Sequence, residues 1–289
     1  MIRIATWNMD HWRRSKELRE QAWNLLQRVA RPDIALVQEA YPRGRGLSQV
    51  FRETGIRDDR SEPPRDLNWG SAVVSFGPQI RGIEHAVGPF DGEPAKLLRT
   101  YPGSVAIAEI ATESPIIVVS AYGAIDHGYA ESTVHRILSD LTPLIDERRG
   151  RGIIVAGDLN ITTQWSAKHK SFLRGRQDEC LARDLNLFER FKALGLHNVV
   201  VRTQAGQLEG CDCNLGIACK HFQTQRHERS TFPWQNDYFF LSEDLLEQPF
   251  SVEVLDRDDF WKLSSHCPVV VEFGLLSYQP TPSAGSVDS

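Results

Sequence analysis

Asp158 and Asn160 stand two residues apart at the end of an apolar run, Gly152-Ile153-Ile154-Val155-Ala156-Gly157. In extended backbone alternate side chains share a face, so both project the same way from one strand end. A carboxylate there can orient or deprotonate a water, and an amide beside it can donate to an anionic oxygen. The same residue types also serve as plain turn formers, so their meaning depends on what joins them. Polar groups end five further apolar segments: Asn8 with Asp10, Glu39, Tyr122, Asp237 and His266. Together they supply the parts of a metal-assisted phosphoester hydrolysis. These are oxygen ligands for a hard cation, a group to position water, and donors for the charge on a phosphate.

The elements that must position these groups are legible as periodicity. Ile2 to Trp7 alternates as a strand. A helix starts at the N-cap Ser15, with Leu18, Ala22, Leu25, Leu26 and Val29 at three-to-four spacing, and Pro32-Asp33 ends it. Ile34 to Glu39 is a buried strand. Strand, helix and strand with polar residues at the strand ends is the usual placement of sites in α/β sheets. Residues 41–68, rich in Arg, Asp, Pro and Gly, read as a mobile surface segment. Strands follow at Trp69–Ser75, Gly103–Ile110 and Ile116–Tyr122. Val134, Ile137, Leu138, Leu141, Leu144 and Ile145 mark a second amphipathic helix, and Leu185–Leu194 a third, shorter one. Asp237–Leu241 and Cys267–Phe273 are the last strands, and the Pro/Ser/Gly-rich tail 277–289 reads as disordered. No internal repeat and no linker divides residues 1–276, so one catalytic domain is expected.

Bulk properties narrow the function. The chain of 289 residues is 41% hydrophobic and 25% charged, as a globular protein with a sizeable core should be. Its net charge of −5 argues against holding nucleic acid by overall charge, although a local basic patch remains open. Met1 to Asn8 enters a strand directly, without a signal-like region, and no apolar run reaches membrane-spanning length. The expectation is a cytoplasmic protein without a membrane partner, whose five cysteines are thiols or metal ligands rather than disulfides.

The motifs carrying these groups are Trp7-Asn8-Met9-Asp10, Val37-Gln38-Glu39, Gly157-Asp158-Leu159-Asn160, Asn236-Asp237-Tyr238 and Ser264-Ser265-His266-Cys267-Pro268-Val269. In order and spacing the chain resembles the endonuclease/exonuclease/phosphatase superfamily, across residues 2 to about 275. The resemblance implies a four-layered α/β sandwich: two mainly antiparallel sheets packed face to face, with flanking helices and one active site at one end. It also implies roles. Glu39 is then the main Mg²⁺ (or Mn²⁺) ligand, with Asn8 and Asp10 beside it. Asp158 positions the attacking water, Asn160 and Tyr122 contact the phosphate, and Asp237 orients His266, which donates to a phosphate oxygen. One departure stands out: many members carry Asp where this chain has Ser265.

Asp237-Tyr238 resembles the nuclease branches, those of exonuclease III, the abasic endonucleases and the deoxyribonucleases, rather than the Asp-Arg of inositol-phosphate phosphatases. The expected activity is therefore that of a DNA endonuclease or exonuclease, with DNA rather than RNA as partner. A phosphatase or phosphodiesterase on a small or lipid phosphate, and a non-catalytic nucleic-acid-binding member, are the alternatives. Lys168, Lys170 and Arg174, then Arg226 and Arg229, are candidate backbone contacts if their segments rim the site. Cys211, Cys213, Cys219 and His221 fall within eleven residues of a Cys/His-rich loop at about 203–233. They can supply a closed tetrahedral zinc site, or stand as free thiols or a redox pair.

Overall fold

Long apolar runs predict strands buried on both faces, and the computed structural model packs them that way. It describes residues 1–274 apart from 55, 59–64, 88–93, 98, 113, 126–128, 148–149, 170–172, 174, 205 and 228–229; the tail 277–289 lies outside the described residues. In chain order the strands are β1 (Ile2–Asn8), β2 (Ile34–Ala40), β3 (Ser48–Glu53), β4 (Ile56–Asp58), β5 (Arg65–Leu67), β6 (Gly70–Ser75), β7 (Ile80–Gly82) and β8 (His85–Val87). They continue with β9 (Pro94–Lys96), β10 (Val105–Ile110), β11 (Ile116–Ala121), β12 (Gly152–Asp158), β13 (Leu196–Asn198), β14 (Asp237–Ser242), β15 (Phe250–Val254) and β16 (Val269–Phe273). The longer helices are α1 (Lys16–Leu25), α2 (Glu131–Asp146) and α3 (Gln177–Ala193).

Two six-stranded sheets form the body, ordered β15-β16-β1-β2-β6-β3 and β13-β14-β12-β11-β10-β7. Each holds one parallel pair, β1 with β2 and β11 with β12, and all other neighbours are antiparallel. The parallel pairs are joined through α1 and α2, because a parallel neighbour needs a crossover. Alternation then sorts side chains into layers. Ile4, Leu36, Val118, Ile154, Phe239 and Val271 meet between the sheets. Ala5, Trp7, Val37 and Val74 turn outward onto Trp23 and Leu26 of the first helix layer. Ile117, Val155 and Phe240 turn outward onto Ile137, Leu141 and Phe191 of α2 and α3. At about 1.5–3 kcal/mol for each fully buried large apolar side chain, these three interfaces dominate the stability. The order helix, sheet, sheet, helix is the expected four-layered sandwich.

Polar groups also pin the sheets together. Gln38 Nε2 on β2 donates to Ser120 Oγ on β11 at 2.9 Å, and Ser120 Oγ donates back to Val37 O at 3.0 Å. Both side chains are wholly buried.

Local details follow the predicted rules, with some differences. Ser15 caps α1 by accepting from the Leu18 amide. The expected surface segment 41–68 contains β3, which pairs along its length with β6. The third helix starts at Gln177, eight residues before the predicted Leu185, because its first half carries mostly polar side chains. The edge strand β15 is not apparent in the sequence, since its alternate side chains face solvent.

Candidate active site

The strand directions bring the singled-out residues to one end of the sandwich. Asn8, Glu39 and Asp158 lie at the C-terminal ends of β1, β2 and β12, and Tyr122 follows β11. Asp237 opens β14 and His266 precedes β16, strands that run the opposite way beside β12 and β1. Asp158 and Asp237 are register partners. Asn8, Asp158 and Asp237 have the same strand parity as the inter-sheet apolar residues, so all three point into the seam between the sheets.

Glu39 is an exception that the backbone corrects. It shares parity with Ala35 and Val37, so plain alternation would turn it toward α1. The pairing of β2 with β6 shifts register between Val37 and Ala40, and Glu39 adopts φ 48°. Such a bulge re-aims a side chain. The Glu39 carboxylate thereby accepts hydrogen bonds from Trp12 Nε1 and from Tyr122 of the other sheet. Asp10 and Asn160 also hold left-handed backbone, with φ 48° and 50°. Three of the four described non-glycine residues with positive φ therefore sit in this cluster, as is common for functional sites.

Asp158 is the hub. Its Oδ2 accepts from Asn8 Nδ2 at 2.8 Å and from Asn160 Nδ2 at 3.1 Å, and its Oδ1 accepts from the Asn160 amide at 3.0 Å. His266 Nε2 faces the same Oδ2 at 3.7 Å, while Nδ1 lies 2.8 Å from Asp237 Oδ2. The loop carrying His266 is fixed by side chains the sequence reading did not single out. Trp7 Nε1 donates to His266 O, and Ser264 Oγ donates to Asn8 O while accepting from the His266 amide. The first two join residues more than 250 positions apart, so no local sequence pattern marks them.

Burial and charge act against one another here. Burial pushes Asp158 up, the facing His266 pulls it down, and Asp237 pushes it up again. Burial would lower His266, but the carboxylates of Asp237 and Asp158 outweigh it and hold the imidazole well above its usual value. Burial raises Glu39 against the opposing Tyr122 hydrogen bond, and the nearby Asp10 raises it further. Two buried carboxylates, Glu39 and Asp10, the second of which raises the first, form an oxygen donor set with the Asn8 side-chain carbonyl beside them. Such a set suits a hard divalent cation, which relieves their repulsion. Asp10 already shares its charge with Arg14 at 2.8 Å and Arg13 at 3.6 Å, so Glu39 is the better-placed ligand. Position 265 supplies only a hydroxyl, and its carbonyl accepts from the Arg226 amide.

The candidate backbone contacts are less free than their sequence suggests. Lys168 pairs with Asp212, and Arg226 pairs with Asp256 and stacks over Trp261. Lys170, Arg174 and Arg229 lie outside the described residues. A mainly cationic groove missed in the sequence lies beside the strand carrying Glu39, lined by Lys16, Arg19, Arg43 and Arg45 with Glu20, Trp23 and Tyr41, and Glu20 pairs with Arg45. Among the described residues no helix is long and apolar enough to cross a membrane.

No protein-family model and no curated protein sequence matches the chain. Solved structures do. An AP endonuclease from Archaeoglobus fulgidus superposes with a TM-score of 0.62 at 17% identity, covering 94% of this chain and 99% of that one. The endonuclease domain of TRAS1, a telomere-specific non-LTR retrotransposon, gives 0.58 at 19%, covering 95% and 99%. The Neisseria 3′ phosphatase NExo bound to a product DNA hairpin gives 0.53 at 16%, covering 95% and 100%. Likeness over nearly the whole of each chain, added to the layer order and the motif order, identifies the fold as that of the endonuclease/exonuclease/phosphatase superfamily.

Proposed function

We propose that the chain is a divalent-metal-dependent phosphodiesterase that hydrolyses nucleic acid, with DNA rather than RNA as substrate. The observation that carries this reading is the convergence of Asn8, Glu39, Tyr122, Asp158, Asn160, Asp237 and His266 at one strand end. Asp158 holds the attacking water and takes its proton. Its carboxylate offers about four acceptor positions, and three are filled by Asn8 and Asn160, so one remains for the water. His266, kept charged by Asp237, donates from Nε2 to a phosphate oxygen. Asn160 and Tyr122 steady the phosphate. Glu39, with Asn8 and Asp10, would hold Mg²⁺ or Mn²⁺. The bound cation would offset charge on the phosphoryl oxygens and the leaving alkoxide.

Polyanion binding is supported by the groove beside Tyr41, two residues past Glu39, where Lys16 and Arg19 add to Arg45, paired with Glu20, and Arg43, paired with Glu53. The choice of DNA is supported by the structural neighbours, an AP endonuclease and a 3′ phosphatase bound to a product DNA hairpin among them. The test is incubation with single- and double-stranded DNA and RNA, with Mg²⁺, Mn²⁺ or a chelator, resolved on a gel. Cleavage of DNA that needs the cation and disappears in Asp158→Asn is expected. A folded protein that leaves every nucleic acid intact, or that hydrolyses only small phosphomonoesters, overturns the reading.

A further inference from the structure

We infer that Cys211, Cys213, Cys219 and His221 bind a structural Zn²⁺ ion that fastens the loop before β14 to the segment after Asn160. The first observation is geometric. One ligand atom from each of the four residues lies within 4.8 Å of all the others, and all four residues are buried. Zinc bonds of about 2.3 Å to sulfur and 2.0–2.1 Å to nitrogen set tetrahedral edges of about 3.8 Å for S···S and about 3.5 Å for S···N. The structure has Cys211 Sγ to Cys219 Sγ at 3.9 Å, Cys219 Sγ to His221 Nδ1 at 3.4 Å and Cys211 Sγ to His221 Nδ1 at 3.7 Å. These spacings fit a shared ion. They are far from the roughly 2.0 Å of a disulfide, and all four sulfur and nitrogen atoms converge where thiols packed merely as small apolar groups need not.

The second observation is the outer support. His221 Nε2 lies 2.8 Å from Thr163 Oγ1, which leaves Nδ1 directed at the sulfurs. A ligating histidine characteristically spends its other nitrogen on such a partner. Gln164 Nε2 donates to Cys211 Sγ at 3.3 Å, a contact that offsets charge on a thiolate. The same Nε2 donates to Pro233 O at 2.8 Å, and Gln164 Oε1 accepts from the Gln235 amide at 2.6 Å. Thr163 and Gln164 come just after Asn160, and Gln235 just before Asp237. The cluster therefore joins two chain segments that leave the candidate active site.

The third observation is need. Between β13 and β14 the described residues form no strand, only a three-residue helical turn, Gly216–Ala218, and isolated bridges of Gln225 with Trp234 and His266. Its apolar cluster is small: the three cysteines and Phe232, with Leu208 and Trp234 against them. A long loop of that kind is ordered by a cross-link more readily than by burial. Four protein ligands with no open position suit a structural ion, and thiolates select zinc over the hard cations that suit Glu39. The site is independent of the catalytic reading.

The test is metal analysis of the full chain purified without chelator. One zinc per chain is expected, released in full when a mercurial blocks the thiols. Cys213→Ser and Cys219→Ser should lose the zinc and melt at lower temperature, while Cys180→Ser keeps both. Should those variants fail to fold, wild-type chain refolded with Co²⁺ supplies the readout, as the visible spectrum of tetrahedral thiolate-bound cobalt. Wild-type chain that carries no zinc after growth and refolding in its presence, or a cobalt form without that spectrum, overturns the assignment. These readouts do not depend on nucleic-acid cleavage, so a failed activity assay and a failed zinc site remain distinct results.

Discussion

His266 Nδ1 lies 2.8 Å from Asp237 Oδ2, with both side chains buried. That contact sets the ring orientation, so that Nε2 faces Asp158 Oδ2 at 3.7 Å. It also keeps the imidazole charged where a phosphate oxygen would arrive. In the proposed reaction Asp237 thus works through His266 as a positioning residue.

Because the two act as one unit, their losses should not add. Asp237→Asn and His266→Ala should each lower the single-turnover cleavage rate by about 10²–10⁴. The double variant should be little worse than His266→Ala alone. Rates measured with unchanged circular dichroism spectra check this, and additive losses would separate the two roles.

Glu39→Gln keeps the shape but removes the charge from the proposed cation site. Since burial penalises the carboxylate, the amide should not lower the melting temperature. The Mg²⁺ concentration for half-maximal activity should rise by roughly tenfold or more, as even outer partners of a metal ligand cost 10–100-fold. Trp12→Phe, which removes one donor to Glu39, should shift it less and in the same direction. A metal titration of the three proteins reads both effects.

Gly157 sits where β12 passes the end of β11, directly before Asp158. A Cβ there would stand 1.8 Å from Ala121 O, and the backbone φ is 155°. Gly157→Ala should destabilise the fold by more than about 3 kcal/mol. Gly206, with nothing within 4 Å, provides the control, and Gly206→Ala should melt like wild type. Denaturant midpoints of the pair decide.

Asp184 on α3 is buried and accepts from the Thr162 amide at 3.0 Å and from Trp165 Nε1 at 2.8 Å. Burial raises it from 3.8 to about 7, with those two hydrogen bonds opposing. The folded chain keeps this proton to higher pH than the unfolded chain does. Its contribution to stability is therefore full below about 3.8, falls as pH rises, and is gone above about 7. Asp184→Asn can accept the same two bonds without a charge. Its advantage over wild type should grow between pH 5 and pH 8, toward an upper bound of roughly 4 kcal/mol. Paired unfolding curves at several pH values show whether the gap widens.

The sandwich is legible in the sequence because strands covered on both faces become unbroken apolar runs, as at Ile153–Ala156 and Ile34–Val37. The site is legible where alternation holds, as at Asp158. It is not legible at Glu39, whose direction depends on a bulge against β6, a strand some thirty residues later. The charge partners are equally hidden. Lys168 reads as a free cation until the fold brings Asp212 to it, and the groove of Lys16, Arg19, Arg43 and Arg45 forms only when two distant segments meet. The Cys/His group is the opposite case, since its members lie within eleven residues of one another in the same loop.

The contact between Gln38 and Ser120 reaches beyond anchoring. Asn8, Glu39 and His266 ride on one sheet, and Tyr122, Asp158 and Asp237 on the other, so the apolar filling between them works as a spacer gauge for the proposed site. Thinning that filling at Val118, or unlatching Ser120, would let the halves creep and detune every reactive separation together. In the proposed enzyme, turnover would then fall through changes at positions that never meet a substrate.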